Sequence, residues 1–291
     1  MVSSEIIFDK EYDKMTQKLI FLVTFLLFSI LIFSQEKYIE KYGNGKLKIE
    51  GFIVNNMLDS IYKEYYQTGE IKIEGLFKNC QYETNHTKKY KLGCGVGNSN
   101  AIKKGKRHGI WKHYFKNGNI KWISNYHYDF RQGNFYSYYE NGRLESVEFY
   151  TADDLKTSQY YNENGILEQN SIYSYLYSKE EERYLKSTKE FEYYEDGKMK
   201  IEREIMEKEN DLELENYKEY YRDGFLKIEK QLEDYDKNGI YREYYENGNT
   251  RYEGIFKNDK PIDQQYFYDW EGNLIKIEHW KNEQLVKTEV K

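Results

Sequence analysis

The sequence predicts an all-β fold in which tandem β-hairpin repeats form a long, twisted, meandering antiparallel sheet. Three observations predict it. Glycines recur at a near-constant step, an aromatic and an aliphatic residue stand at fixed offsets around them, and tyrosine is abundant, with 33 among 291 residues.

The step comes first, because a missed period would misread the whole fold. Nine copies are anchored by Gly45, Gly69, Gly118, Gly142, Gly165, Gly197, Gly224, Gly248 and Gly272. The spacings are 24, 49, 24, 23, 32, 27, 24 and 24, so the unit is about 24 residues and one interval is doubled. Two positions after each glycine an apolar residue stands in eight of nine copies, as in Leu47, Ile71, Leu226 and Leu274; the exception is Thr250. Three positions before it stand Tyr42, Tyr66, Phe115, Tyr139, Tyr194, Tyr221 and Tyr245, and in the two other copies the aromatic is one step earlier, as Tyr161 and Tyr268.

The elements follow in chain order within each copy. Ile61-Tyr62-Lys63-Glu64-Tyr65-Tyr66 and Tyr241-Arg242-Glu243-Tyr244-Tyr245 carry strand-forming aromatics before the glycine. The glycine belongs to a turn dipeptide, such as Asn117-Gly118 or Asp196-Gly197, which closes a hairpin with positive φ. Ile71-Lys72-Ile73-Glu74 then alternates apolar with charged, the period of a half-buried strand. A second turn is expected between copies, at Gly105-Lys106-Arg107-His108-Gly109 and at Arg131-Gln132-Gly133-Asn134. Two six-residue strands and two turns fill the unit and leave no room for a helix. Insertions are expected at residues 78–103, 174–189 and 203–216; Lys179-Glu180-Glu181-Glu182-Arg183 either extends a hairpin or makes a short helix.

Composition excludes some functions. The formal charge of −6 arises from 44 basic and 50 acidic residues interspersed along the chain, without the basic block that a nucleic-acid partner requires. A single proline argues against Pro-rich linkers.

Residues 19–33, LIFLVTFLLFSILIF, form the one strongly apolar run. Its length matches the apolar region of a secretory signal peptide and falls short of the roughly 20 residues of a membrane span. Residues 1–34 are therefore read as a signal peptide or an uncleaved anchor, a buried helix being the third alternative, with Met15 as a candidate true start; residues 35–291 form the repeat array. The expected location is exported, whether periplasmic, secreted or envelope-anchored, with membrane contact only through this segment. In an exported chain Cys80 and Cys94 are candidates for a disulfide; in a reducing compartment they are two thiols.

Gly105-Lys106-Arg107-His108-Gly109-Ile110-Trp111-Lys112-His113-Tyr114-Phe115-Lys116-Asn117-Gly118 resembles the MORN-repeat variant of bacterial proteins of the YwqK antitoxin family. The resemblance extends over about residues 38–282. It implies a non-catalytic chain that binds a partner protein, with some members acting as antitoxins or immunity proteins.

No catalytic residue, cofactor or metal site is expected. The five histidines, His86, His108, His113, His127 and His279, are scattered, and Glu50, Glu74, Glu202, Glu229 and Glu253 repeat at one position, as a solvated face would. Adjacent aromatics such as Tyr65-Tyr66 and Tyr244-Tyr245 place one ring on each face, so one ladder is core and the other is either packing or an exposed stripe. The candidate partner-binding residues are Tyr66, Trp111, Phe115, Trp122, Tyr139, Tyr194, Tyr221 and Tyr245, suited to a protein of unknown identity, such as a toxin. The alternative function is an exported envelope structural or glycan-binding protein.

Overall fold

The computed structural model describes residues 35–54, 56–78, 84–85, 88–89, 103–179, 182–208 and 212–291. The predicted leader at residues 1–34, together with Cys80, His86 and Cys94, lies outside these.

The chain divides into two compact units, residues 1–108 and 109–291. In the first, β1 (Glu36–Lys41), β2 (Leu47–Val54), β3 (Met57–Tyr65) and β4 (Ile71–Lys78) pair antiparallel in chain order. The expected insertion contributes a two-residue ladder of β5 (Thr84–Asn85) with β6 (Lys88–Lys89), and β7 (Lys103–Lys104), which runs parallel to the start of β3.

The second unit begins within β8 (Lys106–Tyr114) and continues through β9 (Ile120–His127), β10 (Phe130–Tyr138), β11 (Leu144–Thr151), β12 (Asp154–Tyr161), β13 (Leu167–Ser178), β14 (Arg183–Tyr193) and β15 (Met199–Glu207). It ends with β16 (Glu213–Tyr220), β17 (Leu226–Glu233), β18 (Asp236–Tyr244), β19 (Thr250–Lys257), β20 (Lys260–Tyr268), β21 (Leu274–Lys281) and β22 (Gln284–Val290). Every strand pairs antiparallel with its sequence neighbours. The all-β tandem-hairpin expectation is met. The described residues of the expected insertions, 174–179 with 182–189 and 203–208 with 212–216, lengthen the pairing of β13 with β14 and of β15 with β16.

All nine repeat glycines adopt φ between +81° and +114°. The loop they close is wider than a two-residue Asn-Gly turn. In the first copy Gly45 N–H donates to the Tyr42 carbonyl (2.9 Å) and Tyr42 N–H to the Lys46 carbonyl (2.9 Å). This is a three-residue loop, with the glycine in the left-handed region forming a bulge. The preference for Asn or Asp just before the glycine has a local cause: Asn44, Asn117, Asn141, Asp196, Asp223 and Asn247 each accept, through Oδ1, a hydrogen bond from the backbone N–H two residues on.

The second turn lies elsewhere than the sequence suggested. It is a dipeptide with both φ angles positive, Tyr128-Asp129, Ala152-Asp153, Asp234-Tyr235, Asn258-Asp259 and Asn282-Glu283, the backbone of a type I′ turn. Gly109 and Gly133, read as turn residues, sit inside β8 and β10 with φ of +68° and +84°; Gly133 lies in the irregularity where Arg131 pairs with Tyr126 and Phe135 with Ser124. A glycine needing positive φ serves a bulge as readily as a turn, so composition alone misplaced it by a few residues.

The buried apolar side chains fall on one face in each unit: Leu58, Tyr62 and Phe77 in the first, and Trp111, Tyr126, Tyr150, Ile201, Leu232 and Phe256 in the second. Rings on this packed face lie opposite small residues. Tyr62 pairs with Gly51 on one side and Gly75 on the other, and Ser124 stands between Trp111 and Phe135. Among the described residues no second layer covers the sheet, so large rings spread over their small neighbours and bury one another.

Candidate protein-binding face

In at least five copies the tyrosine three positions before the turn glycine, the second ring of the pair where a pair exists, ties neighbouring repeats together. Tyr42 donates its hydroxyl to the Tyr65 carbonyl (2.7 Å), Tyr139 to Tyr161 (2.7 Å), Tyr194 to Tyr220 (2.7 Å), Tyr221 to Tyr244 (2.8 Å) and Tyr245 to Tyr268 (3.0 Å). Each bond ties one wide loop to the start of the next, satisfying a carbonyl where the strand ends. Asn117 and Asn119 on Glu140, and Asn247 and Asn249 on Trp270, add amide donors along the same edge. Replacing Tyr221 by Phe is expected to cost about 1 kcal/mol, the usual worth of one such bond. The quadruple Tyr→Phe variant at 139, 194, 221 and 245 should lower the urea midpoint further than any single substitution.

The candidate residues are therefore distributed unevenly. Tyr66, Tyr139, Tyr194, Tyr221 and Tyr245 are half-buried at this loop edge, and the last four spend their hydroxyls inside the protein. Trp111 is only 3% exposed and belongs to the packed face, which corrects its expected availability to a partner. Trp122 stacks between His113 (centroids 3.7 Å apart) and Phe135 (5.5 Å), and Phe115 lies under the Lys121 ammonium at 5.5 Å.

The first tyrosine of the pair turns to the opposite, open face. Tyr65 donates to Glu50 (3.0 Å), Tyr220 to Glu202 (3.0 Å) and Tyr244 to Glu229 (3.5 Å). Burial, and then the bond to Glu202, push the Tyr220 phenol up to about 12. The Lys37 ammonium, and then Tyr65, hold Glu50 below the usual carboxylate range. The glutamates expected to be simply solvated are thus hydrogen-bonded members of a row. Glu202, Lys218, Glu229, Arg242 and Glu253 stand opposite one another across five strands, as Glu50, Lys63 and Glu74 do across three. Arg242 joins Glu229 (3.3 Å) and Glu253 (3.1 Å). Each such pair is worth well under about 1 kcal/mol, but the alternation disfavours every register that would juxtapose like charges.

Beside this row on the open face run exposed apolar side chains. Phe149 and Ile172 flank Thr157, and Ile240 pairs with Ile255, which is 42% exposed and in turn opposes Ile262. Next to them is an open depression of about 530 Å³, lined by Glu253, Gly254, Ile255, Asp263, Gln264, Tyr266, His279 and Trp280. A bulge in β20 shapes it. Asp263 has φ +58°, and the buried Gln265 lies over Gly254, donating its amide to the carbonyls of Ile255 (3.1 Å) and Ile262 (2.6 Å). A Cβ at position 254 would collide with that amide, so a larger residue there would displace the Gln265 side chain. His279 faces Glu289 at 3.0 Å, and Lys287 followed by Lys291 bring that carboxyl down to about 2.

Sequence reading missed this patch, although a signal existed. Ile255 and Phe256 are adjacent in a strand, so one of them must leave the packed face. Among the described residues no group of three His, Cys, Asp or Glu side chains could hold a metal ion.

Five segments, residues 58–79, 107–128, 131–152, 188–205 and 237–258, match the MORN repeat variant. No curated protein matches the chain. Among solved structures it is similar to part of TcdB2-TccC3-TEV, at 11% identity and a TM-score of 0.21, over 85% of this chain and 13% of that one. It is also similar to part of TcdB2-TccC3-Cdc42, at 10% identity and a TM-score of 0.15, over 85% and 18%. The chain thus spans less than a fifth of either structure's length.

Proposed function

We propose that this chain is a non-catalytic repeat scaffold that binds a protein partner through the open face of its second unit. The observation that carries the reading is the Ile240–Ile255–Ile262 row, with Ile240 and Ile255 exposed and Ile262 half-buried, beside the Lys218–Glu229–Arg242–Glu253 ladder. Contiguous apolar surface rimmed by charge is the usual character of a recognition surface, the apolar part supplying affinity and the charges orientation. The matches to the MORN repeat variant are consistent with this, because such repeats supply surface and not chemistry.

In its finer form the partner is a toxin and the chain its antitoxin or immunity protein, the role implied by the YwqK resemblance. The apolar run at residues 19–33 supports export, so that the partner is met in the envelope or outside the cell, with no nucleic acid involved. A second reading, an envelope glycan-binding or structural protein, is favoured by the exposed rings of Tyr175, Tyr177 and Tyr184.

The test compares affinity capture by the full chain with capture by Ile240→Glu/Ile255→Glu, both in exposed positions. A protein retained by the wild type and lost at least tenfold with the variant supports the proposal. Capture unaffected by the substitutions, or saturable polysaccharide binding with no protein retained, would overturn it.

A further inference from the structure

The β13–β14 hairpin outruns its neighbours. Pairing of β12 with β13 ends at Thr157 opposite Ile172, yet β13 continues to Ser178. On the other flank the overhang of β14 is covered by side chains: Lys186 N–H donates to Glu207 (3.0 Å) and the Arg183 guanidinium to the Lys208 carbonyl (2.9 Å). On the β13 flank the contacts among the described residues are made by side chains alone: the Tyr173 hydroxyl with Ser158 Oγ (3.5 Å), the Tyr175 hydroxyl on Asp154 (3.4 Å) and the Lys156 ammonium 5.2 Å from the Tyr175 ring. A backbone edge therefore stands open over residues 173–177.

This edge lacks the usual protection. Exposed edges are normally guarded by charge, and β1 and β22, each with one paired neighbour among the described strands, carry Lys and Glu. Residues 173–178 read Tyr-Ser-Tyr-Leu-Tyr-Ser, without charge or proline and with Leu176 54% exposed. Tyr177 opposes Tyr184, itself 67% exposed, with centroids 5.2 Å apart.

We infer that this edge pairs with the same edge of a second copy of the chain, giving a two-fold antiparallel dimer centred on Tyr175. An uncharged strand meets no self-repulsion in such a pairing. The two-fold places Tyr173 opposite Tyr177 of the other copy, so the three tyrosines that share a face by alternation form a continuous aromatic ladder across the junction. The pairing does not rest on the partner-binding reading: Ile240→Glu/Ile255→Glu should leave the dimer intact, and Leu176→Lys should leave partner capture intact.

The experiment uses the full chain in mild detergent, which keeps the apolar run at residues 19–33 from associating by itself. Sedimentation velocity should show a concentration-dependent dimer that Leu176→Lys abolishes, with the thermal midpoint unchanged at dilutions where both chains are monomeric, since the side chain is exposed. In a Cys80→Ser/Cys94→Ser background, Tyr175→Cys should form a covalent dimer on mild oxidation, because opposed antiparallel residues lie within disulfide reach. Ile61→Cys, exposed elsewhere, should not. A chain monomeric at every attainable concentration, or a dimer that persists in Leu176→Lys without cross-linking of Tyr175→Cys, would overturn the inference. So would saturable polysaccharide binding by a monomer, abolished by Leu176→Lys.

Discussion

Raised above pH 10, the protein is expected to unfold cooperatively before its tyrosines have finished ionising. Burial, aided by nearby glutamates, pushes the phenols of Tyr160, Tyr217, Tyr220 and Tyr252 up to about 12 each, and those of Tyr62, Tyr150 and Tyr241 higher still. In the unfolded chain a tyrosine ionises near pH 10. A group whose folded pKa is raised contributes stability in full below its unfolded pKa and loses it as pH climbs through the folded value, so the window is pH 10 to 12. Two pKa units would be worth about 2.7 kcal/mol per ring. Tyr62 and Tyr150 are buried while the other rings keep a wet edge, and with solvent screening allowed for about 1 kcal/mol each remains. Seven such contributions rival the whole stability of an ordinary domain, about 5–15 kcal/mol. Lys72 and Lys227, raised by hydrogen bonds to Glu64 and Glu219, act in the same direction. Phenolate absorbance and far-ultraviolet circular dichroism, followed together, should break at one pH. Smooth titration near pH 10 with the β-signal intact to pH 12 would refute the expectation.

The largest loss from a single substitution is expected at Tyr62. Its ring is 1% exposed, sits between Gly51 and Gly75, and meets Phe77 edge-on with centroids 5.0 Å apart. Tyr62→Ala removes the side chain that covers both glycines, and among the described residues no second layer can collapse into the gap. A cost of about 3–5 kcal/mol is expected, the range for deleting a buried aromatic. Tyr62→Phe keeps the ring and loses the 3.2 Å bond to Glu64, so about 1 kcal/mol should go. Equilibrium denaturation of the two variants checks the contrast; equal losses would mean that the hydroxyl, and not the ring, is what the site requires. Gly51 restricts the same site from the other side, because an added Cβ would lie 3.1 Å from Leu58 Cδ2 and 3.8 Å from the Tyr62 ring.

Much of this architecture was legible in the chain. The wide loops were, because their requirement for glycine and for Asn or Asp is satisfied within four residues, as at Asn44-Gly45. The alternation of Ile71-Lys72-Ile73-Glu74 likewise reports a half-buried strand directly. Gly133 was misplaced because positive φ has two uses, and only the pairing of Arg131 with Tyr126 and Phe135 with Ser124 reveals a bulge. The tyrosine pairs were half legible. Adjacent rings must part, but the sequence does not show that Tyr221 reaches the carbonyl of Tyr244, 23 residues on.

The candidate site divides in the same way. By itself the sequence determined the repeat, the hairpins, the dominance of aromatic packing and the lack of any recognisable catalytic motif, because each is written in spacings shorter than one 24-residue unit. The tertiary structure decided which tyrosines are staples, which glutamates lock register, and that Ile240, Ile255 and Ile262 line up on the open face. Those facts depend on which residue of the next strand lies opposite, and a bulge of a single residue resets that register.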